Sequence, residues 1–428
     1  MPDTPLSGPP ADPLSGAALL ERIDALAAIS AETGRLSRQY LTPEHRRAND
    51  LVGGWMRAAG MTVREDSVGN IVGRYEGDRP GTAEPLPALL IGSHLDTVRD
   101  AGKYDGMLGV LTGIAVVADL QARGRRLPFA VEVIGFGDEE GTRFQSTLIG
   151  SRAIAGRFDP AVLDKRDADG VRLADAMTAF GLDPAAYAEA AHRPEAVLAY
   201  AELHIEQGPV LEALGHPVGV VTAIAGATRL AVTVDGFAGH AGTVPMTLRR
   251  DALAASAEMI LAVEALCSTQ DRLVGTVGRI EASPGATNVI PGRVRFTIDL
   301  RADRDALRLE RVGAVRARLE AIADQRGVSV AFETLHDSPA VACHPDLMAQ
   351  FAASAAALGL DAPELPSGAG HDAMAVAGLT DIAMLFVRCD RGISHNPAES
   401  ITAADAEAGA RVLAHFVEHF QPASDRAP

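Results

Sequence analysis

Across residues 17–59 the apolar side chains recur at helical spacing, broken by a turn at 37–43, which predicts two helices ahead of a first strand near 61–75. Beyond that point the pattern changes. Four short runs dominated by apolar and β-branched residues, 88–92, 129–136, 199–204 and 382–387, each lead straight into a group of His, Asp or Glu. Such runs, separated by helical stretches like 109–122, predict a largely parallel sheet with helices on both faces, because only a strand covered on both sides dispenses with a polar face. Ligands of open α/β sheets bind at the carboxyl ends of the strands, so four separate strands are expected to deliver polar groups to one edge.

Between about 226 and 336 the order becomes strand (229–234), helix (250–266), two strands (274–281 and 293–300), helix (303–325) and strand (328–333). This β-α-β-β-α-β order predicts a ferredoxin-like α+β unit inserted into the first domain. Helices at 346–358 and 403–420 then complete that domain. The expected organisation is a disordered leader (1–15), a mixed, mostly parallel α/β catalytic domain in two parts (16–224 and 337–421), the insert (225–336) and a tail (422–428).

A formal net charge of -17, from 56 acidic and 39 basic residues, argues against nucleic-acid or anionic-membrane partners, which draw on excess Lys and Arg. The first residues, MPDTPLSGPPADPLSG, carry neither a basic segment nor an apolar run, so no signal peptide is expected. No stretch reaches the roughly 18 apolar residues of a membrane span. Three widely separated cysteines suggest neither a disulfide framework nor a thiolate metal site, and a cytoplasmic setting is expected.

The chemistry lies at the strand ends. GSHLDTV places His94 and Asp96 two residues apart in extended chain, on the same side, so that Asp96 can fix the His94 ring from behind. KYDGMLGV adds Asp105 among glycines that permit tight turns. GFGDEEGTRF packs Asp138, Glu139 and Glu140 together, where adjacent carboxylates repel unless solvated or neutralised by a cation; one can bind metal while its neighbour serves as general base. His204 in AELHIEQG and His395 in RGISHNPAE follow two further strands. Singly, each reads as an ordinary strand-end residue. Together His94, Asp105, Glu140, His204 and His395 form a sensible ligand set for two divalent ions with Asp105 shared between them, and such a pair can hold a hydroxide and polarise a carbonyl oxygen.

These motifs resemble the co-catalytic metallohydrolase superfamily of aminoacylases and bacterial glutamate carboxypeptidases, and most closely its amidase and carbamoylase branch, which includes N-carbamoyl-L-amino-acid hydrolases, allantoate amidohydrolases and β-alanine synthases. The resemblance spans nearly the whole chain, from about Gly16 to His419. It implies that Asp105 bridges the metals, His94 and His204 serve one ion, and Glu140 and His395 serve the other. Glu139 corresponds to the general base and Asp96 to the partner of the first His. An acidic residue stands at the position of His204 in the carboxylate-only members, so this His favours the carbamoylase branch.

The resemblance also implies a substrate side. FAGHAGTVPM resembles the segment whose His, here His240, stabilises the oxyanion. GATNVIPG and IDLR resemble the segments that supply Asn288 and Arg301 for the substrate carboxylate, a role that suits the guanidinium fork. HIEQG adds Gln207, and PSGAGHDA resembles a loop beside the substrate, with Gly370 and His371. Expected in turn are two divalent ions (Zn2+ or Mn2+, with Co2+ and Ni2+ also compatible), a lid and homodimer built on the insert, and hydrolysis of the ureido C–N bond of a small carboxylate-bearing substrate. The overall match leans toward allantoate, with N-carbamoyl-L-amino acids or N-carbamoyl-β-alanine as the alternative. A dipeptidase or aminoacylase, or a non-catalytic metal-binding protein, fits less well, since His204, Glu139 and all five expected ligands are present.

Overall fold

The structure is a computed structural model that describes residues 12–79 and 85–423. Most of the expected leader and the last five residues of the expected tail lie outside the described residues. The chain forms two compact units. The first comprises Met1–Thr222, Cys343–Leu365 and His371–Pro428, and the second Ala223–Ala342 with Pro366–Gly370.

In the first unit the sheet order is Thr62–Glu65, Ile71–Tyr75, Ala130–Phe136, Ala88–His94, Val197–Ile205, Ile382–Val387 and Val218–Ile224. The four runs singled out by their apolar continuity are adjacent and mutually parallel, and the flanking strands join antiparallel. Every residue of Ala88–His94, Ala130–Phe136 and Ile382–Val387 is buried, as strands without polar alternation require. The helix Met107–Ala122 is apolar nearly all round and buried over most of its length. It shares one core with the sheet and with the helices Gly16–Ala27 and Ala403–His419.

The single strand expected at 61–75 is instead two, paired antiparallel around a turn. Asp66 makes that turn: its Oδ1 accepts from the N–H groups of Val68 (3.0 Å) and Asn70 (2.9 Å), and Gly69 takes φ +90°.

The second unit is an antiparallel sheet with two helices. The strands Gly226–Asp235, Arg293–Ala302 and Ser329–Ser338 lie in the order third, first, second when named in that sequence, and Leu273–Thr276 and Ile280–Ser283 both border Arg293–Ala302. Alternate residues Leu230, Val232 and Val234 meet Val294, Phe296, Ile298 and Leu300 in a core with helices Ala252–Cys267 and Asp305–Arg326. The continuous strand expected at 274–281 is broken at Val277–Arg279. Thr276 pairs with Asp299 but Ile280 with Phe296, so one extra residue bulges out beside Gly278. No helix among the described residues is long and apolar enough to cross a membrane.

His45 is fully buried near the start of the helix Pro43–Ala58. Its Nδ1 accepts from the Leu41 N–H, and its ring stacks on Phe180. Burial, then the charges of Arg38 and Arg46, hold its pKa down to about 3. An unfolded chain takes up a proton near pH 6.5 that the folded chain refuses, so stability from this residue is present above pH 6.5 and is lost as the pH falls toward 3. Denaturant titrations at pH 7 and pH 5 should differ by about 2 kcal/mol on its account, and His45→Gln should remove that part of the slope.

Candidate active site

His94 ends its strand, and His204 stands near the end of the adjacent parallel strand; their rings lie 5.9 Å apart, nearly stacked. Asp105 comes from the loop that opens Met107–Ala122. Gly106 lets that loop close, at φ +73°, and a Cβ there would sit 2.5 Å from the His94 ring. Asp105 Oδ1 lies 3.3 Å from His94 Nε2 and 3.1 Å from His204 Nε2. Its Oδ2 lies 3.2 Å from His395 Nε2, which is itself 3.6 Å from Glu140 Oε1. Two donor groups result, His94–Asp105–His204 and Asp105–Glu140–His395, with their ligand atoms within 4.8 Å of one another and Asp105 common to both.

The hydrogen bonding at the far sides of the rings bears on what this set can hold. His94 Nδ1 is 2.9 Å from the Asp96 carbonyl, and His204 Nδ1 is 2.9 Å from the Ile205 carbonyl. A carbonyl only accepts, so each Nδ1 carries a proton and Nε2 is left to face the Asp105 carboxylate. Lone pairs facing one another at 3.1–3.3 Å are unfavourable without positive charge between them. The residues therefore fit a divalent cation, with ring orientation set from behind as metal-binding imidazoles require.

Asp96 acts differently from the expectation. Its carbonyl, not its carboxylate, orients His94; the carboxylate is 3.8 Å from the ring and instead accepts from the N–H groups of Glu139 (3.0 Å) and Glu140 (3.2 Å). Asp96 thereby fixes the acidic loop rather than the imidazole. Asp138, Gln207 and His395 hold positive φ of 62°, 56° and 54°, so backbone strain is concentrated around this site.

Burial raises the Glu139 pKa well above the carboxylate range, and repulsion from Glu140, Asp372 and Asp96 adds to this against the pull of His94. Glu140 is pushed up to about 7, first by burial. Asp105 moves the other way: burial would raise it, but its contacts with His204, His395 and His94 hold it well below.

Gln207, expected to face substrate, turns its Nε2 onto Asp105 Oδ2 (2.9 Å) and Ser394 Oγ (3.0 Å). His371 is buried beside His204, 4.5 Å between ring centroids, and joins Glu202 and His204 in a further donor group. His240, Asn288, Arg301 and Gly370 belong to the second unit. There the Gly239–His240 and Val289–Ile290 strands pair, setting His240 next to the segment of Asn288. Arg301 is gripped side-on by Asp299, through Nε and Nη2 at 2.9 Å each, and donates through Nη1 to the Gly368 carbonyl at 2.8 Å. Three residues in this region lay outside the sequence reading: Glu202, Ser394 and Glu399. Each sits in a segment already marked by a His, two residues before His204 or within five of His395, and that spacing was the available signal.

A family model described as peptidase family M20/M25/M40 matches residues 90–419. The chain belongs to this family. Among its relatives, the N-carbamoyl-L-amino acid amidohydrolase of Geobacillus stearothermophilus is 44% identical over 94% of this chain and 98% of its own. Allantoate deiminase of Arabidopsis thaliana is 42% identical over 93% and 81% respectively. The crystal structure of an amidase of the hydantoinase/carbamoylase family from Burkholderia multivorans superposes with a TM-score of 0.88 at 34% identity, covering 97% of this chain and all of that one. The family is metal-dependent, and this member is an amidohydrolase acting on C–N bonds.

Because Gly106 is pressed against His94, Gly106→Ala adds both strain at positive φ and a steric collision. The expected result is a loss of metal affinity of at least about tenfold, read by calorimetric titration of the metal-free variant with Mn2+.

Proposed function

We propose that this chain hydrolyses the ureido C–N bond of a small carboxylate-bearing substrate, with allantoate as the first choice. The observation that carries the reading is the convergence of three imidazole Nε2 atoms and the Glu140 carboxylate on the two oxygens of Asp105. His94 and His204 would hold one divalent ion, Glu140 and His395 a second, with Asp105 between them; Zn2+ or Mn2+ suits the nitrogen and oxygen donors, and Co2+ or Ni2+ is compatible. When bound, the ions supply Lewis acidity to water and to the substrate carbonyl.

Glu139 takes the proton of the attacking water and returns it to the leaving nitrogen. Burial raises its pKa above the usual carboxylate range, the direction that favours proton uptake by this side chain. Asp96 holds Glu139 and Glu140 in register through their N–H groups. Water's oxygen becomes bonded to the carbamoyl carbon as one C–N bond breaks, and the carbamic acid so formed then breaks down with loss of its remaining C–N bond, so that the net products are ammonia, carbon dioxide and the parent amine. We assign the substrate carboxylate to Arg301, whose guanidinium is oriented by Asp299 through Nε and Nη2 and by the Gly368 carbonyl through Nη1, which leaves one further N–H on each terminal nitrogen. Asn288 and Gly370 are assigned to the same part of the substrate and His240 to the developing oxyanion.

A second reading, an N-carbamoyl-L-amino acid as substrate, is favoured by the 44% identity to the Geobacillus stearothermophilus enzyme. Ammonia release from allantoate, N-carbamoyl-L-methionine and N-carbamoyl-β-alanine separates the two. The highest kcat/KM is expected on allantoate; turnover of the carbamoyl amino acids alone would move the assignment to the second reading, and cleavage only of peptides or N-acyl amino acids would overturn both.

We further propose that the second unit, residues 225–336 in the sequence reading, serves as lid and dimerisation domain. Its exposed Phe237, Met246, Leu248 and Leu261 support a partner surface, and light scattering at a dimer mass is the expected result. Three buried, unpaired cysteines fit a reducing, cytoplasmic setting.

A further inference from the structure

Glu399, the last residue of the RGISHNPAE segment, is 4% exposed. A carboxylate so buried is costly unless its oxygens find donors. Glu399 Oε1 accepts from the N–H groups of Tyr104 (2.8 Å) and Asp105 (3.1 Å), 294 residues away in the chain. Its Oε2 lies 3.0 Å from Ser394 Oγ, and the same Oγ is 3.0 Å from Asp105 Oδ2. Gln207 Nε2 closes the ring by donating to both Asp105 Oδ2 and Ser394 Oγ. Gly102 packs flush on the Glu399 carboxyl group, where a Cβ would come within 2.2 Å.

Glu399 thus holds the Asp105 backbone N–H, and the Ser394 hydroxyl, with one proton to give, stands between Glu399 Oε2 and the outer oxygen of Asp105. With the backbone held, the contacts of Ser394 and Gln207 to Oδ2 restrict rotation of the carboxylate. That restriction matters because Oδ1 must address His94 and His204 while Oδ2 addresses His395, and a rotation of the carboxylate would spoil both sets at once. We propose that Glu399 and Ser394 are positioning residues that hold the Asp105 carboxylate square to its two donor groups. This rests on the proposed assignment of Asp105 as the shared metal ligand.

The competing explanation is that Glu399 merely ties down the loop around Tyr104. Ser394→Ala tells the two apart, because it leaves the backbone contacts of Glu399 in place and removes only the arm to Asp105 Oδ2. Titrating the metal-free full chain with Mn2+ alone, Ser394→Ala and Glu399→Ala should each weaken binding by about 10–100-fold, with the melting midpoint of metal-free Ser394→Ala unchanged. Glu399→Gln should restore binding to within a few-fold, since its Oε1 still accepts from both N–H groups and its amide directs the Ser394 proton toward Asp105. Wild-type affinity in Ser394→Ala overturns the proposal, and that test stands even if Glu399→Ala does not fold. Asp105→Asn serves as the control: wild-type affinity there would instead remove the metal assignment on which the proposal rests.

Discussion

Glu139→Gln should lower kcat for ureido hydrolysis by about 10²–10⁴-fold, the usual contribution of a general base, while metal content stays at the wild-type level. The amide keeps the size of the side chain and the N–H that Asp96 accepts, so the acidic loop stays in place. What the variant loses is a basic oxygen beside His94 and Glu140, the two groups with which Glu139 shares its donor cluster. Burial and the negative charges of Glu140, Asp372 and Asp96 raise the Glu139 pKa against the pull of His94, which favours proton uptake there. Ammonia release measured alongside elemental analysis checks this. Activity within tenfold of wild type would take Glu139 out of the mechanism.

Removing metal should destabilise the protein markedly. Without a cation, Glu139, Glu140 and Asp96 repel one another, and only added protons on His94 and His204 offset the Asp105 charge. Binding relieves these contacts only in the folded state. Each ion at a free concentration a hundred times its Kd stabilises by about 2.7 kcal/mol, so exhaustive chelation should lower the apparent melting midpoint by several degrees and re-addition of Mn2+ should restore it. In Asp105→Ala the midpoint should no longer respond to chelator. An identical midpoint for the chelated and metal-loaded wild-type chain would mean that the cluster holds no structurally coupled ion.

The parts of this architecture that the sequence made legible share one physical basis. Strands buried on both faces are dominated by apolar residues, so Ala88–His94, Ala130–Phe136, Val197–Ile205 and Ile382–Val387 stood out despite the buried Glu132 and Glu202, and a polar residue that ends such a run falls at the carboxyl end of the strand. That is why His94 and His204 could be named without coordinates. Legibility ends one residue into the loop. Asp96 lies two residues past His94, and spacing put its carboxylate behind the ring, but the chain turns so that its carbonyl takes that role. Gln207, at φ +56°, is rotated onto Asp105 by a backbone state that its residue type does not announce. The break at Asp66–Asn70 was hidden because a side-chain capped turn interrupts a run whose flanks both read as strand. Glu399 escaped notice for another reason: its partners, Tyr104 and Asp105, are nearly three hundred residues away, and nothing local distinguishes a carboxylate that braces a ligand from one on a solvated loop.

The assignment depends above all on Asp105 standing between two bound ions. Anomalous diffraction from crystals of the full chain grown with Mn2+ tests this directly. Two peaks per chain are predicted, one beside each Asp105 carboxylate oxygen, the first shared with His94 and His204 and the second with Glu140 and His395. Data with no peak at Asp105, or with manganese bound only at positions that Asp105 does not touch, would contradict it.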